Sequence, residues 1–81
     1  MSFYCVGMHP VRRALDSWKQ HDPNRTDADF AREIGYSDAD ALYKQIRGEY
    51  IAPHDKLEKM ANVLGWSPGK FLNECRKRMV R

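Results

Sequence analysis

Cysteine is scarce in this chain, and long hydrophobic runs are missing altogether. The two cysteines, Cys5 and Cys75, stand near opposite ends without a CxxC pair. That excludes a disulfide framework and a zinc-ribbon spacing, and suits a reducing cytoplasm. No apolar stretch approaches the roughly 20 residues that a membrane-spanning helix needs. The opening MSFYCVG has neither the basic start nor the long apolar segment of a signal peptide. Three histidines, His9, His21 and His54, fall in separate segments, with no nucleophile-base pairing to suggest an enzyme. The stretch Gly65-Trp66-Ser67-Pro68-Gly69-Lys70 has one residue too few between its glycines for a phosphate loop. Phe71 follows where a magnesium-binding hydroxyl belongs. Cys5 and His9 are spaced for a helical metal pair, but Pro10 disfavours a helix there and no second pair follows. No catalytic residue, cofactor or metal is expected.

What is present suits one small domain. Of 81 residues, 42% are apolar and 31% charged, and the net charge is +3 with a pI near 9.0. A chain of that size has room for a single modest core. The mild basic bias permits an anionic partner without demanding one. Residues 1–8, apolar and aromatic at Phe3, Tyr4, Val6 and Met8, read as a tail folded onto the core or as a dimer arm. Residues 9–81 read as the domain.

Five short helices are expected, giving an all-α fold. Pro10 suits a first helical turn, and Val11, Leu15 and Trp18 recur on one face of a helix reaching about residue 21. Asp22-Pro23-Asn24 ends it. Thr26-Asp27-Ala28-Asp29 has the form of a capping box for a second helix, whose apolar stripe is Phe30, Ala31 and Ile34 and whose stop is Gly35. Ser37-Asp38-Ala39-Asp40 has the same form, leaving a turn of two or three residues before a third helix over about 38–47. Leu42 and Ile46 face inward there, and Gly48 closes it. Closely spaced helix starts of this kind mark a helix-turn-helix. A fourth helix carries Leu57, Met60, Ala61 and Leu64, and ends at Gly65. Ser67-Pro68 caps a fifth, with Phe71, Leu72, Cys75 and Met79 inward. The apolar Phe71-Leu72 pair is expected in the core or beneath a dimer contact.

From residue 30 to residue 72 the chain resembles the lambda-repressor/Cro-type (XRE) helix-turn-helix family. The likeness rests on Phe30-Ala31, Ile34-Gly35, Leu42, Gly48 and Pro53. It continues through Leu57-x-x-Met60-Ala61-x-x-Leu64-Gly65 and Ser67-Pro68 before Phe71-Leu72. The interval from Gly35 to Gly48 is one residue longer than the common family spacing, and the connection over 22–25 is long. The resemblance implies a compact lambda-repressor-like bundle in which small Ala31 lets the second and third helices cross closely. It also implies that the third helix enters the major groove of double-stranded DNA.

A helical wheel, independent of the family, sets Lys44, Asp40 and Arg47 opposite Leu42 and Ile46, with Ala41 and Tyr43 flanking and Gln45 nearer the packed side. Lys44 and Arg47 suit guanine or phosphate, Tyr43 phosphate or stacking, and Ala41 a thymine methyl. Ser37 suits a cap or a phosphate. Asp40 is expected to cap, with cytosine as the alternative, and Asp38 to face the helix dipole.

Charge is distributed against this reading. Between residues 26 and 55 seven carboxylates face three bases, a net −4, whereas residues 70–81 carry +4. Phosphate neutralisation dominates affinity for DNA, so backbone contacts are expected from Arg12, Arg13, Thr26, Arg76 and Arg78. The expected function is a sequence-specific DNA-binding regulator acting as a homodimer. The alternative is an antitoxin or other protein-interaction domain on the same fold, bound to a toxin or another regulator.

Overall fold

The computed structural model describes residues 8–79. It contains five helices: α1 (Pro10–Gln20), α2 (Asp27–Ile34), α3 (Asp40–Ile46), α4 (His54–Leu64) and α5 (Pro68–Arg76), with no strand among the described residues. The chain is therefore a small all-α bundle. The expected role of residues 1–8 as a tail or arm falls, apart from Met8, outside the described residues.

Each helix boundary has a local cause. At α1, His9 lies in extended backbone and its Nδ1 accepts the Val11 N–H, while Pro10 occupies the first turn, where no intrahelical donor is needed. At α2 the capping box closes in both directions: the Thr26 hydroxyl accepts the Asp29 N–H, and the Asp29 carboxylate accepts the Thr26 N–H. Gly35 ends α2 at φ +115°, a conformation that a side chain would strain. Ser67 Oγ accepts the Lys70 N–H and starts α5.

The third helix departs from expectation. It begins at Asp40 rather than near residue 38, so residues 35–39 make a five-residue connection instead of a turn of two or three. The second capping box does not form, because residue 39, already helical at ψ −4°, occupies the cap position and offers no side-chain acceptor. Asp38 Oδ1 instead accepts the Asp40 N–H in an Asx turn. At the far end Gly48, at φ +79°, lets the Glu49 N–H turn back to the Lys44 carbonyl. Helix α5 ends at Arg76, so Met79, expected on its inward face, lies beyond it.

The core draws on every helix. Val11, Ala14 and Leu15 come from α1, and Phe30, Ala31 and Ile34 from α2. Leu42 comes from α3, Leu57, Met60 and Ala61 from α4, and Phe71 and Cys75 from α5. Trp18 packs against the core from a half-buried position, its ring tilted on Phe30 with centres 5.3 Å apart. Burial pushes the Cys75 thiol up to about 12, as befits a small core residue. Helix α1 is the centre, packing on α4, α3, α2 and α5. Ala31 is fully buried, but its helix packs on α1 and α4 rather than mainly across α3. No described helix is long and apolar enough to cross a membrane.

Candidate nucleic-acid interface

The seven residues of α3 are oriented by two that point in. Leu42 is completely buried, and Gln45 is 1% exposed, its Nε2 donating to the Ala41 carbonyl one turn earlier. Ile46 packs against the core from a half-buried position. This leaves Asp40, Tyr43, Lys44 and Arg47 exposed and Ala41 half-buried beside them, the arrangement the helical wheel predicts. Ser37 and Asp38 are exposed in the connection before α3.

The outward cations are not free. Lys44 pairs with Asp40 one turn earlier at 3.2 Å, which leaves Asp40 as an ion-pair partner in the first turn rather than a cap. The Arg47 Nε donates to Glu49 at 2.9 Å. This contact raises the arginine pKa and lowers that of the glutamate, chiefly through the hydrogen bond itself. Tyr43 is also engaged. Its hydroxyl donates to Asp27 on α2, and the same carboxylate accepts from Lys19 of α1 at 2.7 Å. One carboxylate thus ties three helices together. The Lys19 hydrogen bond, then that of Tyr43, holds Asp27 below the usual carboxylate range, while Asp27 raises the tyrosine pKa. Arg12 lies on this side of α1, close enough for its charge to act on both groups.

The phosphate candidates divide. Thr26 Oγ1 is committed as the α2 cap acceptor. Arg78 donates to Glu74 at 3.1 Å, and Lys77 shares that carboxylate. Arg13 stacks on Trp66, 4.8 Å from its ring centre. Among the described residues Arg12, Arg13 and Arg76 have no carboxylate within salt-bridge distance. A shallow hollow beside α3, lined by Asp38, Asp40, Ala41, Lys44, Glu49 and Tyr50, holds three carboxylates to one lysine. No group of three potential metal ligands occurs among the described residues.

Several contacts escaped sequence reasoning. The Asp40–Lys44 pair had an i,i+4 signal that marks such contacts. His9 had a signal too, since it stands just before a first-turn proline. The Lys19–Asp27–Tyr43 tie has no local pattern, because it joins three helices across space. No family model, curated protein or solved structure compared with this chain matches it.

Proposed function

We propose that the chain binds double-stranded DNA as a sequence-specific transcriptional regulator of the Cro/repressor type, working as a homodimer with α3 in the major groove. The supporting observation is the side chain geometry of α3. Leu42 and Gln45 fix its inner side, so Tyr43, Lys44 and Arg47 are presented together on the outer side. The carboxylates paired with Lys44 and Arg47 do not preclude this role. Exposed ion pairs are worth only about 0–1 kcal/mol, whereas a good bidentate contact to a base discriminates by about 1–3 kcal/mol. Exchange of Asp40 or Glu49 for a base edge is therefore favourable once other residues neutralise the backbone.

Selection of bound duplexes from a random pool at fixed salt tests the reading. The expected result is an enriched sequence with two half-sites about one helical turn apart. Lys44→Ala and Arg47→Ala are each expected to bind it about tenfold more weakly, within the range for removal of one base-reading side chain, with unchanged circular dichroism. Absence of enrichment, or two variants that bind like the parent, removes α3 as the reader.

A second reading has its own observation. The acidic hollow of Asp38, Asp40 and Glu49 suits a cationic protein segment better than phosphate. An antitoxin or other interaction domain on the same fold would use it, with weak or no DNA binding of its own.

A further inference from the structure

Two cations without a carboxylate partner among the described residues, Arg13 and Lys70, converge on one tryptophan that is not part of α3. Arg12 and Arg13 are neighbours in sequence, but about 100° of helix rotation sends them to different sides of α1. Arg12 faces Asp27 and Tyr43. Arg13 faces the corner between α4 and α5, where its guanidinium sits 4.8 Å from the centre of the Trp66 ring. Lys70 reaches the same ring from α5, with its Nζ at 4.5 Å. Neither cation has a carboxylate within salt-bridge distance among the described residues. Asp16, on the next turn of α1, lines the adjoining groove with Arg13 but does not bridge to it.

Lys70 is also poorly placed for its own helix. It lies in the first turn of α5, which has no acidic residue, and a cation there opposes the helix dipole. A negative group brought to this corner would relieve that opposition and meet two cations already ordered by the indole. Trp66 is itself held in place, half-buried and edge-on to Phe71 at 6.1 Å. The corner is thus a preformed pair of positive charges on a rigid base, whereas every cation on the outer side of α3 is neutralised by its own chain.

We infer that Arg13 and Lys70, braced by Trp66, form a second nucleic-acid contact that binds the phosphate backbone of duplex DNA independently of sequence. This contact supplies attraction that the acidic 26–55 segment lacks. It requires duplex binding but not base reading by α3, so the two proposals can fail separately.

The experiment uses the full chain and random-sequence duplex, titrated across a salt series. Arg13→Gln/Lys70→Gln is expected to weaken all duplexes alike and reduce the slope of log affinity against log salt by about two, near 0.9 for each phosphate no longer neutralised. Lys70→Gln alone, at an exposed position, is expected to reduce it by about one and keeps the test valid if the double variant folds poorly. In a Trp18→Phe background Trp66 is the sole tryptophan, and its emission should change on saturation with DNA. An unchanged slope, a Trp66 signal indifferent to bound DNA, or a parent chain that binds no duplex overturns the inference. Altered sequence ranking in the double variant does so too, since a backbone contact carries no sequence information. If the Lys44 and Arg47 variants bind normally while the corner variants lose affinity, α3 falls as the reader and the corner stands.

Discussion

Thr26-Asp27-Ala28-Asp29 and Ser37-Asp38-Ala39-Asp40 present the same chemistry eleven residues apart, yet only the first caps a helix. The difference lies in how the chain arrives. Thr26 is extended, at φ −115° and ψ 169°, so its hydroxyl overlooks the first turn. Before α3 the chain comes out of the left-handed Gly35, and Asp38 captures the Asp40 N–H first. Residue 39 is then already helical, and the start moves to Asp40. A capping pattern shows that a helix begins nearby, while the preceding backbone decides which residue begins it. Helix α2 thus has a closed polar start, and α3 depends on Leu42, Gln45 and the tie from Tyr43 to α2.

The largest test of this contrast uses a cap that works in a buried setting. Burial, and then the nearby positive charge of Arg78, lowers the His9 pKa to about 4 from an ordinary 6.5. Above pH 6.5 the ring is neutral in both folded and unfolded chains, and Nδ1 can accept the Val11 N–H. Between 6.5 and 4 the unfolded chain takes up a proton that the folded chain refuses. Stability therefore falls with falling pH by about 1.4 kcal/mol per unit. Chemical denaturation at about pH 7, 6 and 5 should show this slope, and His9→Asn, which keeps a cap acceptor, should flatten it. An equal slope in both proteins would mean that protonation of His9 is not what drives the loss of stability.

The two similar motifs then make a direct pair. Thr26→Ala removes a working acceptor and should cost about 1 kcal/mol, the usual value for an N-cap. Ser37→Ala removes a hydroxyl that caps nothing and should stay within about 0.5 kcal/mol, as for an ordinary surface change. Equal destabilisation in urea unfolding would mean that both boxes close in solution.

These contrasts show why some features were legible and others were not. Gly35 and Gly65 mark real helix ends because left-handed backbone is so costly for other residues. The stripes at Val11-Leu15 and Leu57-Met60-Ala61 identify buried faces because helical period and burial coincide. The outward set Tyr43, Lys44 and Arg47 follows from the same geometry. The start of α3 did not, since two competing polar contacts share one four-residue motif. The Trp66 corner did not either, because Arg13 and Lys70 meet only through the packing of α1 beside α5.

The smallest expected effect concerns the tie that stands in for a cap. Tyr43→Phe removes one donor from Asp27 and leaves the Lys19 contact at 2.7 Å intact. Both hydrogen bonds lower the Asp27 pKa, with Lys19 the larger contributor, so removing the Tyr43 hydroxyl should raise it partway towards its ordinary value. Because the tyrosine is partly exposed, water takes the place of the phenol, and global stability should change by about 0.5 kcal/mol. Local stability should change more than global stability, since α3 has only seven residues and no polar cap. Hydrogen exchange should accelerate at the amides of Tyr43 and Lys44 while those of Phe30 and Ile34 stay protected. Equal acceleration in α2 and α3 would show that Asp27 holds the two helices as one unit. Acceleration confined to α3 would show that α2, with its closed box, is stable without it.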